Sequence, residues 1–329
     1  MPFSPSAGHT RFAMARYRKN LLSNLAFTTP LLVIVLSGLI EGPTAAQPLR
    51  ERDPQFRVDS TLVLIPVTVT DARGASVGGL GKDSFTVLDD RKPQPITAFF
   101  SEDAPASIGI VLDVSGSMRD KLEMARSAVR SFLQLSNPED DFFLVTVSSS
   151  PANPIGSTDE AGDVANIVRV QGAGGDTALI DSVYLALNHA RSSPKARRAL
   201  FVISDGMDNH SRYSESELLR LVMESDVQIY TIAAESPRVN MKGSALAEVQ
   251  TGLGFMEDLA AKGGGFCIRL WPFDNPSQAA TRISGAIRNQ YVIGYRSPDP
   301  DKSGKWHQIR VKVNLNKANV YARSGYQLQ

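Results

Sequence analysis

Disulfides are the first thing this sequence cannot make: one of its 329 residues is cysteine, Cys267. A lone thiol excludes both an internal disulfide framework and a cysteine-based zinc site. Histidine is scarce as well. His9, His189, His210 and His307 stand far apart, without the short spacings of a histidine metal site. Charge of one sign is missing: 35 basic and 34 acidic side chains leave a net +1, which gives no reason to expect nucleic acid or an anionic membrane as the main partner. The phosphate-cradling pattern Gly-x-x-x-x-Gly-Lys-Ser/Thr does not occur. What remains is 42% apolar and 21% charged, a globular composition that excludes wholesale disorder or a low-complexity architecture. The length predicts roughly two domains.

The first residues read as an address. Arg11, Arg16, Arg18 and Lys19 occur with no acid over 11–19, an apolar stretch strongest over 31–40 follows, and small residues end in Ala46. Basic, apolar and small-residue regions in that order are those of a secretory signal peptide, here 1–46. The alternative is an uncleaved anchor. The 20 residues 21–40 could span a bilayer, but Asn24, Thr28, Thr29 and Pro30 weaken that reading. Residues 1–46 hold four basic groups and Glu41, so without them 35 and 34 become 31 basic and 33 acidic. The expectation is an exported protein, periplasmic or extracellular, membrane-anchored only if the leader stays.

Beyond the leader the texture changes twice. Residues 56–104 read as a small β module, with strands over 56–70, 85–88 and 96–100 and no helical period. From 105 to 292 short apolar runs alternate with helical periods. Strands fall at 107–112, 142–147, 199–203 and 227–233, and helices at 120–135, 180–190, 214–225 and 276–289. Ser214 with Glu217 three residues on is a capping-box signature. Such alternation predicts an α/β fold, a doubly wound, mostly parallel sheet of Rossmann-like type. Residues 236–254, rich in small residues, interrupt the pattern and are expected to be an exposed insertion. The tail from 293 to 329 returns to β texture and is expected to pair with the N-terminal module, giving flanking β-rich N- and C-terminal regions.

Open parallel sheets bind ligands at the carboxyl ends of their strands. Three sequence signals fall there. Asp113, Ser115 and Ser117 follow the first buried strand, Thr177 lies in a Gly-Gly-Asp-Thr loop before a helix, and Asp205 follows the strand over 199–203. Two carboxylates and three hydroxyls are hard oxygen donors, suited to Mg2+, Mn2+ or Ca2+. Gly116 lets the first loop curl. Taken singly, each signal has an ordinary alternative as a helix cap or turn.

In this order, the Asp-x-Ser-x-Ser, threonine and Ser-Asp-Gly signals resemble the metal-ion-dependent adhesion site of von Willebrand factor type A domains. The flanks, with Asp71, Gly74, Phe85, Asp89 and Asp90 on one side and Tyr291, Gly294, Tyr295, Gly325 and Tyr326 on the other, are similar to the VWFA-related family first described from acidobacteria. The resemblance implies that Ser115, Ser117 and Thr177 ligate the ion, while Asp113 and Asp205 hold it largely through water. Neutral hydroxyls leave the ion electrophilic, so an acidic side chain of a partner protein fills the open position. The function implied is metal-dependent protein binding, in adhesion or complex assembly. Asp176 and Asp208 are additional acids near the site. A metal-assisted hydrolase is the rival reading, against which stands the lack of a general base near the three loops, His210 apart. A structural envelope protein with an idle site is the third.

Overall fold

The computed structural model describes residues 62–101, 103–150, 154–158, 161–236, 243–298 and 304–327. The expected signal peptide, the start of the first strand at 56–61 and residues 237–242 of the expected insertion lie outside the described residues. Fourteen strands and six helices are described. In chain order they are β1 (Leu62–Thr70), β2 (Phe85–Asp89), β3 (Lys92–Gln94), β4 (Ile96–Phe100), β5 (Ala106–Asp113), α1 (Leu122–Gln134), β6 (Asp141–Val147), β7 (Ile155–Thr158), α2 (Ala161–Val170), α3 (Leu179–Arg191) and β8 (Arg197–Ser204). They continue as α4 (Glu215–Glu224), β9 (Gln228–Ala234), α5 (Ser244–Lys262), β10 (Cys267–Leu270), α6 (Pro276–Arg288), β11 (Tyr291–Arg296), β12 (Trp306–Val313), β13 (Asn319–Ala322) and β14 (Gly325–Gln327).

The central sheet has the order β10-β9-β8-β5-β6-β7. Its strands are parallel apart from β7, which runs antiparallel to β6. β5 lies inside this sheet, between β6 and β8, and every one of its residues is buried. That burial on both faces is why its sequence is a continuous apolar run rather than an alternating one. One face is covered by α1, α2 and α6, through Leu122, Val129, Phe132, Val164 and Ile283. The other is covered by α3, α4 and α5, through Leu179, Val183, Leu218, Met256 and Leu259. The doubly wound α/β expectation therefore holds. α4 starts on the capping box: Ser214 Oγ accepts from Glu217 N at 3.3 Å, and Ser214 N donates to Glu217 Oε2 at 2.8 Å.

The flanking regions build two antiparallel sheets, ordered β13-β1-β11-β4 and β14-β12-β2-β3. Each mixes strands from before and after the central sheet, so the expected pairing of tail and N-terminal module is present. Val63, Ile65, Val67, Phe85, Val87, Ile293, Ile309 and Val311 form their common core. A buried polar seam ties them to the central domain. Thr68 Oγ1 lies 3.1 Å from Tyr230 Oη, Tyr230 donates to Gln228 at 2.9 Å, and Arg197 donates to the Ala104 carbonyl at 2.8 Å.

The insertion expected at 236–254 is exposed over much of its described length, as expected, but it does not interrupt the fold. Residues 244–254 are the first half of α5, and α5 packs on β9. This half turns few apolar side chains to the core and approaches its neighbours through glycine: Gly252 lies directly against the backbone of Gly206. Leu246, Val249, Leu253 and Met256 recur at helical spacing, but the small and polar residues between them dilute that period. Among the described residues, no helix is long and apolar enough to cross a membrane.

Candidate metal centre

Three loops converge at the carboxyl end of the central sheet. Asp113 is the last residue of β5, and its side chain is fully buried. Its Oδ1 accepts from Ser115 N at 2.9 Å, and its Oδ2 accepts from Ser204 Oγ at 2.5 Å. After it the chain turns through one 3-10 turn, Gly116–Met118. The hydroxyls of Ser115, buried, and Ser117, exposed, come to 3.2 Å of one another. The second loop is laced to the first by its backbone: Gly116 N donates to Gly175 O at 3.0 Å and Gly174 N to Val114 O at 2.8 Å. Thr177, buried at the end of that loop, donates its N–H to Asn209 Oδ1 at 2.9 Å. The N–H groups of Asn209 and His210 return to Thr177 O at 3.0 Å each. The third loop begins at Ser204, so the hydroxyl against Asp113 and the carboxylate of Asp205 are adjacent in sequence.

Burial dominates the electrostatics. Lack of solvent pushes the Asp113 carboxyl up to about 6, outweighing the hydrogen bonds from Ser115 and Ser204 that favour its ionised form; Asp205 adds a like charge. A buried carboxylate whose neighbours are two hydroxyls, a backbone N–H and a second acid lacks a counter-cation. This donor set fits a hard divalent cation. Asp113, Ser115, Ser117, Thr177 and Asp205 are the residues that would hold it.

Residues 108–207 match the family model of the von Willebrand factor type A domain. Over those residues the chain is similar to a type A domain. An uncharacterized protein of Borreliella burgdorferi is 27% identical over 142 residues, a match taking in 40% of this chain and 42% of that protein, so less than half of that curated relative is spanned. Among solved structures, BatB, a conserved hypothetical protein of Bacteroides thetaiotaomicron, is 18% identical with a TM-score of 0.45, covering 55% of this chain and 97% of BatB. The vWF domain of the type V pili tip protein Mfa5 of Porphyromonas gingivalis is 13% identical with a TM-score of 0.44, covering 56% of this chain and 95% of that one.

Lys121 and Asn209, beside the candidate metal centre, were not singled out by the sequence. Lys121 Nζ lies 2.5 Å from Asp205 Oδ2, with both side chains more than nine-tenths buried. Asp208 is not a spare acid beside the ion. Its Oδ2 caps α3 by accepting from Ile180 N at 2.8 Å and takes the Ser211 hydroxyl at 2.6 Å. Asp176 is exposed, with His210 Nδ1 3.8 Å away. Cys267 is half-buried on β10, and burial pushes its thiol up, consistent with packing rather than nucleophilic chemistry. A cavity of about 200 Å³ lined by Ser117, Lys121, Asp205, Met207, Glu235 and Leu253 opens beside the site. Met207 also lines a larger cleft, of about 650 Å³, floored by Ile180 and Phe255.

Gly206 holds this loop to α5. Its φ is +80°, and a Cβ there would lie 2.1 Å from the Gly252 carbonyl oxygen. Neither backbone can yield without moving α5 or the loop. We predict that Gly206→Ala lowers stability by at least about 2 kcal/mol, through left-handed strain and the clash together. A denaturant midpoint equal to the wild type would contradict it.

A second cluster lies far from this site. Asp89, Asp90 and His307 place ligand-type atoms within 4.8 Å of one another. Both oxygens of Asp89 are engaged: Oδ2 accepts from Tyr295 Oη at 2.7 Å and Tyr326 Oη at 2.8 Å, and Oδ1 lies 3.3 Å from His307 Nδ1. Asp90, at φ 45°, turns its Oδ2 to 3.3 Å from the same nitrogen. Because Asp89 and His307 are 218 residues apart in sequence, no local spacing announced the cluster.

Proposed function

We propose that this chain is an exported, divalent-metal-dependent protein-binding module, acting in adhesion or complex assembly, that captures an acidic side chain of a partner protein. The observation that carries the reading is the hydroxyl pair of Ser115 and Ser117 beside the buried Asp113. The hydroxyls are neutral and Asp205 is paired with Lys121, so Asp113 alone does not neutralise a divalent ion. When bound, the ion supplies an electrophilic open position, and an anionic oxygen from outside completes it. Exposure of Ser117 and the cleft past Met207 leave room for a partner's segment to approach. The hard donors suit Mg2+, Mn2+ or Ca2+. Export rests on the basic, apolar and small-residue regions of 1–46, and implies a periplasmic or extracellular protein.

A non-enzymatic role fits better than hydrolysis. Hydrolysis at such a centre wants a base free to take a proton from water. Asp205 is held by Lys121 and Asp208 caps α3, so both acids of the third loop have other work. The test is calorimetric titration of the purified protein with magnesium and manganese, beside Ser117→Ala. Saturable binding is expected, weakened at least about tenfold in the variant by loss of a direct ligand. Acetate is expected to tighten it. Binding unaffected by the substitution would move the ion elsewhere, and absence of binding with acetate present would leave a structural envelope protein.

A further inference from the structure

The ion pair between Lys121 and Asp205 has a consequence for the metal centre just described, and the inference rests on that reading. We propose that Lys121 is an internal counter-cation that holds metal affinity down and makes tight binding depend on a carboxylate supplied from outside.

Lys121 is placed by rigid local structure. It follows the 3-10 turn, its N–H donates to Met118 O at 2.8 Å, and its carbonyl accepts from Ala125 N at 3.0 Å to start α1. Its ammonium reaches back to Asp205 across the cavity that Ser117 also lines. Glu235 lines the same cavity but is engaged by Arg269, whose guanidinium lies 2.8 Å from its Oε1. A buried lysine is expected to have an ionic partner, and here that partner is one of the candidate metal residues.

Integer charges show what this does. Asp113 and Asp205 alone would neutralise a divalent ion. With Lys121 paired to Asp205, the same residues leave one positive charge over, which one partner carboxylate removes. The ammonium and the ion also repel one another in a poorly solvated site, where charges are screened far less than in water. Lys121 therefore shifts the centre from one that keeps its ion unaided toward one in which metal and carboxylate bind cooperatively. By linkage, each tightens the other by the same factor.

The test compares wild type, Lys121→Met, Lys121→Gln and Lys121→Arg by calorimetry with manganese, with and without acetate, alongside thermal unfolding with and without the metal. Methionine keeps the apolar stem without the charge, and glutamine retains a donor for Asp205 should methionine not fold. Removing the charge is expected to tighten manganese at least about tenfold, to shrink the tightening produced by acetate, and to enlarge the metal-induced rise in Tm. Arginine, keeping the charge, should stay near the wild type. Manganese bound only by the neutral variants would support the proposal in its strongest form. Wild-type binding that is unchanged or weaker in both neutral variants would overturn it. No manganese binding by any form, with acetate present, would overturn the metal reading itself.

Discussion

Replacing Asp113 with asparagine is expected to make the metal-free protein more stable at pH 7.5 and to abolish its response to magnesium. The Asp113 carboxyl is pushed from 3.8 up to about 6, first of all by burial. A raised acid binds its proton more tightly in the folded state than in the unfolded one. The folded state is therefore favoured while both forms are protonated, below about pH 4, and loses that advantage as pH rises toward 6. Above that, keeping the buried carboxylate ionised costs about 3 kcal/mol, from the free energy of each pKa unit. Asparagine carries no such charge. Its oxygen can accept from Ser115 N and its amide can donate to Ser204 Oγ, so both contacts of Asp113 survive. The gain at pH 7.5 is about 1–3 kcal/mol, shrinking toward zero near pH 4. Guanidinium unfolding of both proteins at pH 4.5 and 7.5, without metal, reads it directly. The metal-induced rise in Tm, expected in the wild type, vanishes in the variant. If asparagine destabilised the protein equally at both pH values, the buried charge would not be the cause. A binding residue that strains its own fold when empty has a simple explanation: the compensating charge belongs to the ion.

The largest loss of stability is expected far from the metal centre, at Asp89. This side chain is wholly buried at the end of β2 and collects hydrogen bonds from Tyr295 on β11, Tyr326 on β14 and His307 on β12. Burial pushes both tyrosine hydroxyls up, and the nearby carboxylate adds to this, so they stay protonated and donate. One carboxylate thus joins strands from both antiparallel sheets. Asp89→Ala removes the shared acceptor of two tyrosine hydroxyls and an imidazole and leaves a cavity. The expected cost is about 3–5 kcal/mol, the range for breaking a buried charged network by removing one partner. Tyr295→Phe, which leaves Asp89 its other donors, is expected to cost about 1–2 kcal/mol. Denaturant midpoints measure both. A loss below about 1 kcal/mol for alanine would mean that the network is no anchor. Metal affinity under folding conditions should be unchanged in Tyr295→Phe, because Tyr295 bonds Asp89 on β2 and packs against Tyr326 on β14, in the flanking sheets.

Much of this was legible in the sequence because its causes are local. β5 is apolar throughout because it is buried on both faces, and a continuous run reports that directly. The capping box of α4 is written in four consecutive residues. Asp113, Ser115 and Ser117 lie on one loop, so their spacing alone brings the two hydroxyls together. The first half of α5 was not legible. Its contact with the third loop is glycine on glycine, and Leu246, Val249 and Leu253 keep only a sparse helical spacing diluted by the small and polar residues between them. Short β3, β7 and β14 carry too few residues to stand out from turns.

The sequence by itself determined the order of elements, the doubly wound class and which loops carry oxygen donors, since periodicity and turn chemistry act over a few neighbouring residues. Only the tertiary structure decided the charges that act on those donors. Ser204 meets Asp113 across 91 residues and Lys121 meets Asp205 across 84, and Asp89 finds its partners more than 200 residues away. Desolvation and ion pairing depend on what the folded chain brings within a few ångströms, and spacing along the chain carries no record of that.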